Sequence, residues 1–200
     1  DDMPRRCGIT SKPDPFPSLH IGAASVYPHE IIAAYTTFAT LGTRTTPFGI
    51  IRVLSADDSV LWEPTPERTS VLSVEEAWLM TDMLKDVVRS PRGTALQAVR
   101  LQGFTIPSGG KTGTTNDGND VWYIGFTSDL VAGVWMGMDR PQPIKDKATG
   151  GVLAAPAWTA FMKEVYARRP TPPDWPRPET IVANAPDVAC TSATQCPECP

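Results

Sequence analysis

The 200-residue chain carries 18 Lys and Arg against 22 Asp and Glu, a formal net charge of −4, and 41% of its residues are hydrophobic. This length and apolar content are sufficient for one domain with its own core. The acidic balance argues against a nucleic-acid surface, because phosphate binding needs clustered cations. The longest apolar run, residues 130–138, is too short to span a bilayer, and the charged N-terminus lacks a signal-peptide core. We therefore expect any membrane anchor to lie upstream of Asp1.

The first predicted elements are a helix and a hairpin. Apolar residues recur at helical spacing over residues 28–41, where Pro28 suits a first turn and Gly42 suits a C-terminal stop. Residues 50–54 and 60–62 are typical of two strands, and the acidic residues between them favour a turn. We expect the helix to pack on the core and the hairpin to lie beside a sheet.

The second half of the chain predicts a sheet covered by helices. A capping box at Ser73 opens a helix that runs to about Val88. Residues 121–126 and 130–138 are two apolar strands joined by a three-residue turn, and together with the strand before them they form an antiparallel meander. A last helix is expected over residues 156–168. The predicted fold class is α+β, with an antiparallel sheet flanked by helices.

The C-terminal residues differ in composition from the rest. Six prolines interrupt residues 170–186, so we divide the chain into a folded part, 1–169, and a tail, 170–200, that is expected to be disordered or extended. Cys190, Cys196 and Cys199 lie in this tail, the last two as C-x-x-C. Zinc would need four ligands and the two histidines are distant in sequence, so disulfides or inert thiols are favoured and no metal or other cofactor is expected.

The residues most informative about chemistry form the run Ser-Gly-Gly-Lys-Thr-Gly-Thr-Thr at 108–115. In an extended strand Lys111 and Gly113 face one side, and Thr112 and Thr114 face the other. Gly113 permits close approach of a ligand, and a peptide can pair along an open strand edge. The amide of Thr114 can point at a developing oxyanion. This pattern predicts a site for a ligand with a carboxylate.

Two other motif assignments for the same residues fail. A phosphate-binding P-loop requires glycine at position 105, which is Thr105. The spelling Ser-x-x-Lys at Ser108 and Lys111 would place a nucleophile beside its base only on a helix, and two glycines in a strand-like context exclude that. The tripeptide Lys-Thr-Gly remains, in a context that raises it above chance.

With its flanking segments this tripeptide resembles the class A penicillin-binding proteins, a superfamily in which Lys-Thr-Gly accompanies Ser-x-x-Lys and a serine-asparagine motif. The resemblance extends over about residues 5–168. The segments that carry it are GKTGTTND at 110–117, DVWYIGFT at 120–127, VAGVWMG at 131–137, GAASVYP at 22–28, RGTA at 92–95, and the Gly-Gly, Ala-Ala-Pro and Trp of 150–158.

The resemblance implies a serine β-lactamase or penicillin-binding transpeptidase fold, incomplete at the N-terminus, and D,D-transpeptidase activity through an acyl-serine. It assigns Lys111 to orienting the proton relay and to the field that activates the nucleophile. Thr112 and Thr114 would bind the carboxylate of a D-Ala-D-Ala stem peptide or of a β-lactam. Gly113 and Thr115 complete the predicted substrate-binding set, in which Thr115 can equally fill a strand.

The other two motifs of the family are missing from the sequence. No Ser-x-Asn occurs in the 200 residues, and Ser-x-x-Lys occurs only at Ser108. We therefore expect a C-terminal fragment that is inactive by itself, whose partners are the stem peptide, β-lactams and the upstream portion of the same protein, on the periplasmic face of the inner membrane. Two alternatives stay open: a D,D-carboxypeptidase or β-lactamase of the same superfamily, and a non-catalytic binding or interaction module.

Overall fold

The computed structural model describes residues 3–11, 17–22 and 24–182. Its helices are α1 (Met3–Arg6), a short 3₁₀ helix (Pro17–Ile21), α2 (Pro28–Ala39), α3 (Val74–Arg89) and α4 (Ala155–Tyr166), the last preceded by a π-helical turn (Gly150–Ala154). Its strands are β1 (Thr43–Thr45), β2 (Val53–Leu54), β3 (Val60–Trp62), β4 (Arg68–Ser70), β5 (Gly109–Thr114), β6 (Val121–Phe126) and β7 (Val131–Met136). The α+β class with an antiparallel sheet and flanking helices is confirmed.

The central sheet contains three antiparallel strands in the order β5-β6-β7. Its register places Thr114 opposite Val121, and Val121 opposite Met136. This order and register confirm the predicted meander. β-Branched and aromatic residues occupy both faces of the middle strand β6, which favours a sheet buried on two sides.

Each face of this sheet packs against different helices. On one face Tyr123 and Trp158 of α4 lie edge to face, with ring centroids 5.3 Å apart, and both side chains are fully buried. On the other face Phe126 contacts Tyr35 and Phe38 of α2. The sheet is thus the middle layer between α4 and the pair α2 and α3.

Helix α3 begins where the sequence predicts. The Ser73 hydroxyl accepts a hydrogen bond from the Glu76 amide at 3.2 Å, and the Glu76 carboxylate accepts one from the Ser73 amide at 2.9 Å. This capping box satisfies two amides that have no partner within the helix. Helix α3 packs beside β5, where a methyl group in place of the Gly109 hydrogen would lie 3.4 Å from the Leu84 carbonyl carbon.

The predicted hairpin forms, but apart from the central sheet. Strands β2 and β3 pair antiparallel through Val53 and Trp62 as a two-stranded sheet, and all their residues are exposed. A second two-stranded sheet, β1 with β4, has no counterpart in the sequence analysis. Its strands read Thr-Arg-Thr and Arg-Thr-Ser, and such polar triplets give no alternating apolar signal.

The division at residue 169 stays a prediction, but the start of the predicted tail contacts the packed elements. Trp175 is buried, and its indole nitrogen donates to the Ala39 carbonyl at 2.7 Å. Asp174 pairs with Lys85 of α3 at 2.7 Å. One aromatic side chain in a pocket of α2, α3 and Phe126 holds this proline-rich segment, in which Pro172 and Trp175 are buried. The three tail cysteines lie outside the described residues.

Within the described ranges, no helix combines the length and apolar character needed to cross a bilayer.

Candidate functional site

Strand β5 forms one edge of the central sheet. It pairs with β6 on one side only, and within the described part of the chain no strand pairs with its other side. Lys111 and Thr114 are exposed on it, and Thr112 and Gly113 are partly exposed. The structure thus places four of the five predicted site residues on an open strand edge.

The direction of the β5 amides follows from the neighbouring turn. Thr115 donates its amide to the Asp120 carbonyl at 3.0 Å, in register with the β5 and β6 pairs. Because amides alternate in direction along a strand, Lys111 and Gly113 bond to β6, and the amides and carbonyls of Thr112 and Thr114 point to the open side. The edge therefore directs main-chain donors and acceptors toward a ligand.

Lys111 lies beside a cleft between β5 and the C-terminal part of α3. Its Nζ donates to the outward carbonyl of Thr112 at 2.7 Å. The cleft has a volume of about 280 Å³ and is lined by Met83, Asp86, Val87, Ser90, Arg92, Gly93, Thr94 and Lys111. Two cations, Arg92 and Lys111, outnumber the one carboxylate, Asp86, and favour an anionic or strongly polar occupant.

The two threonines of the predicted site are held from the face opposite to Lys111. The hydroxyls of Thr112 and Thr94 lie 2.8 Å apart, and either can donate to the other. The Thr114 hydroxyl accepts a hydrogen bond from the Gly150 amide at 3.1 Å. Segments on both sides of β5 in sequence, after α3 and before α4, therefore fix side chains on the same edge.

Gly150 approaches the sheet more closely than any side chain would allow. A methyl group in place of its hydrogen would lie 2.8 Å from the Gly113 carbonyl oxygen and 3.1 Å from the Gly113 nitrogen. It would lie closer still to the carbonyl oxygen of Trp122. Glycine at 150 is required for the amide to reach Thr114.

Thr115 lies in the turn after β5. Its hydroxyl accepts the amides of Asn119 and Asp120, each at 3.0 Å. Asp120 in turn accepts the indole N–H of Trp135 at 2.8 Å. The structure thus separates Thr115, whose hydroxyl organises the turn, from the four preceding residues on the open edge.

Beneath the strand, the Tyr123 hydroxyl faces the backbone of Gly110. Burial of the ring raises the pKa of Tyr123, so the phenol stays neutral. Only glycine at 110 leaves room for this ring, which explains the second glycine of the run.

Sequence reasoning missed Thr94, Gly150 and the cleft residues of α3 as neighbours of the strand. The sequence contained a partial signal, because Arg92–Ala95 and the Gly-Gly pair at 150 were both part of the family resemblance. Which side chains they touch depends on tertiary packing over 18 and 36 residues of separation.

Comparison with known proteins identifies the family. Residues 16–163 match the model of the penicillin-binding protein transpeptidase domain. Penicillin-binding protein 1A of Aquifex aeolicus is 38% identical over 170 residues, 85% of this chain and 23% of the relative. The protein of the same name from Pseudomonas aeruginosa is 30% identical over 195 residues, 72% of this chain and 23% of the relative. The chain thus spans about a quarter of the length of these curated relatives.

Solved structures show the same fold. Penicillin-binding protein 1A of Haemophilus influenzae aligns with a TM-score of 0.78 at 24% identity, over 87% of this chain and 31% of that one. PonA1 of Mycobacterium tuberculosis aligns with a TM-score of 0.68 at 22% identity, over 90% of this chain and 57% of that one. The resemblance to class A penicillin-binding proteins is confirmed, and this chain belongs to the penicillin-binding protein transpeptidase domain family.

Proposed function

We propose that this chain supplies the substrate-binding strand of a serine-type D,D-transpeptidase in a peptidoglycan synthase. The observation that carries the proposal is the open edge of β5, on which Lys111 and the outward amides of Thr112 and Thr114 lie together. The parent reaction is acylation of a serine by a D-Ala-D-Ala stem, release of D-Ala, and attack by a neighbouring stem amine to form the crosslink.

In this proposal the terminal carboxylate of the stem lies against the strand. The hydroxyls of Thr112 and Thr114 donate to it, and the Lys111 ammonium on the opposite face adds positive charge at the cleft. A β-lactam carries an equivalent carboxylate, so it occupies the same position. Hydrogen bonds to a charged group are stronger than neutral ones, which makes this contact the anchor of the substrate.

The main chain of β5 supplies the rest. The substrate backbone lies along the open edge as an added strand, and the Thr112 carbonyl accepts from a substrate amide when Lys111 releases it. The Thr114 amide donates to the oxyanion of the tetrahedral intermediate, a contact worth about 3 to 4 kcal/mol in acyl transfer. Gly113 leaves the strand backbone accessible between these two groups.

The nucleophile and its base come from another part of the parent protein. The sequence contains no Ser-x-Asn, and its single Ser-x-x-Lys spelling ends at Lys111 on β5. A serine and its lysine base on an upstream segment would face Lys111 across the cleft. We place this reaction on the periplasmic face of the inner membrane.

Labelling with a fluorescent penicillin tests the proposal. The full-length gene product is expected to form a covalent adduct that resists denaturation, whereas the 200-residue chain is expected to form none. Reading the coding sequence upstream of Asp1 should reveal a Ser-x-x-Lys and a Ser-x-Asn.

Absence of an adduct in the full-length protein would favour a non-catalytic binding module. Rapid release of the adduct by hydrolysis would favour a β-lactamase. A carboxypeptidase would acylate normally but transfer the stem to water alone, which the products formed from a stem pentapeptide distinguish.

A further inference from the structure

The Thr114 hydroxyl has a fixed hydrogen-bond direction in this structure. The Gly150 amide has only a proton to give, so the Thr114 oxygen must accept it at 3.1 Å. The Thr114 proton is therefore free to be donated to something else. A ligand carboxylate on the open edge is the kind of acceptor that uses it.

Thr112 lies on the same face and has a comparable neighbour. Its hydroxyl lies 2.8 Å from that of Thr94, in the segment that leads from α3 to β5. If Thr94 donates, Thr112 is left in the same state as Thr114, with its oxygen occupied and its proton free. If Thr112 donates, its proton is spent inside the protein.

Thr94 is held in place from two sides by backbone contacts. The amide of Ala95 donates to the Val87 carbonyl at 3.0 Å, which fixes the segment to the end of α3. Gly151 packs directly on the Thr94 carbonyl oxygen, where a methyl group would overlap it. The Thr94 side chain therefore approaches β5 from a fixed backbone, beside the same π-helical turn that supplies the Gly150 amide.

We propose that Thr94 is a positioning residue of this site: its hydroxyl donates to Thr112 and so directs the Thr112 proton toward a bound carboxylate. Thr94 and the Gly150 amide then act in parallel, each occupying the oxygen of one threonine. This inference rests on the proposed function, because it names the group that prepares the same strand for its anionic substrate.

The test compares acylation of the full-length protein by benzylpenicillin and by its methyl ester, which lacks the carboxylate charge. Thr94→Val removes the hydroxyl and keeps the shape of the side chain. We expect the second-order acylation rate with benzylpenicillin to fall about fivefold to tenfold, since one hydrogen bond to the ligand is weakened. The rate with the ester is expected to stay unchanged, and Thr94→Ser is expected to restore the rate with benzylpenicillin.

A matched control is Thr69→Val on the exposed strand β4, which should change neither rate. An unchanged or faster benzylpenicillin rate in Thr94→Val would show that Thr112 donates to Thr94, and would overturn the proposal. An equal loss with both probes would reveal a structural role and would also overturn it.

If Thr94→Val lowers the melting temperature, Thr94→Ala removes the same hydroxyl and is judged by the same ratio of the two rates. Failure of the wild-type protein to react with either probe would instead contradict the proposed function itself.

Discussion

The central sheet and the β2–β3 hairpin are both antiparallel, yet they are stabilised in different ways. Trp158, on the α4 side of the sheet, is 0% exposed and donates its indole N–H to the Ala132 carbonyl at 3.1 Å. Trp62 of the hairpin is 48% exposed. The apolar residues of the sheet form a packed layer, and those of the hairpin do not. Positioning of the site is therefore expected to depend on the sheet and the segments packed on it, and not on the hairpin.

The largest expected effect comes from removing the tryptophan that packs under the sheet. Trp158→Ala deletes contacts with the rings of Phe104 and Tyr123 and leaves a cavity, so we expect a loss of about 3 to 5 kcal/mol in the free energy of unfolding. Trp62→Ala is the matched control in the hairpin and should change it by no more than about 0.5 kcal/mol.

Urea unfolding of the chain, followed by far-ultraviolet circular dichroism, measures both variants without relying on tryptophan fluorescence. Similar losses for the two substitutions would mean that the hairpin is packed against something in solution, and would contradict the contrast between the two regions.

The next effect concerns the close approach of Gly150 to β5. Gly150→Ala places a methyl group against the carbonyl oxygens of Trp122 and Gly113, both parts of the backbone that cannot move aside cheaply. We expect a loss of about 1 to 3 kcal/mol in stability. Penicillin labelling of the full-length protein is also expected to weaken, because the Thr114 hydroxyl loses its support.

The matched control is Gly49→Ala near the start of the hairpin, where a methyl group would meet no atom within 4 Å. This variant should keep both its stability and its labelling. Full labelling in Gly150→Ala would show that the hydrogen bond from the Gly150 amide to Thr114 is not needed for reaction with penicillin. It would count against the role given to the π-helical turn.

These glycines illustrate what could be predicted from the sequence. The meander, the capping box at Ser73 and helix α2 were predictable because each has a local signal: an apolar run, a fixed spacing, or a proline and a glycine at the ends. The contact between Gly150 and β5 has no such signal, since it joins residues far apart in the chain. The burial of Trp175 could not be predicted for a related reason, because proline content describes the segment and not the cavity that receives its one aromatic ring.

The site itself was predictable in part. Lys-Thr-Gly and its glycines indicated a strand with an open edge, and β5 lies at the edge of the sheet. The hydroxyl of Thr115 was grouped with those of Thr112 and Thr114 because strand spacing alone cannot locate where a strand ends. Strand β5 ends at Thr114, one residue before the end of the predicted set, and the Thr115 hydroxyl accepts hydrogen bonds from turn amides instead.

A smaller effect is expected from a buried acid on α2. The hydroxyl of Thr10 donates to Glu30, the hydroxyl of Ser11 adds a second bond at 3.0 Å, and these bonds lower the pKa of Glu30. A lowered pKa in the folded state adds stability above the unfolded value, near 4.3, that is lost as the pH falls through the folded value.

Glu30→Gln is therefore expected to flatten the loss of stability between about pH 5 and pH 3, and Thr10→Val should flatten it less. The urea midpoint as a function of pH measures this slope. A slope identical to that of the wild-type chain in both variants would exclude Glu30 as a contributor to acid unfolding.

The smallest change in stability is expected for a substitution of Lys111. Its side chain is exposed at the edge of a sheet that is otherwise packed on both faces, and its Nζ donates to the neighbouring Thr112 carbonyl. Lys111→Ala should change the free energy of unfolding by no more than about 0.5 kcal/mol. In the full-length protein the same substitution should abolish penicillin labelling, because it removes the ammonium group assigned to the site.

Lys111→Arg refines the interpretation, since it keeps the charge but replaces a compact ammonium with a planar group of different reach. Weak residual labelling in this variant would indicate that charge in the cleft contributes on its own, and complete loss would indicate that the position of the ammonium is required. Unfolding of Lys111→Ala would instead make the lysine a structural residue. Lys111 would then be needed to stabilise β5 in the sheet, and the contrast between a packed scaffold and an open binding edge would be wrong.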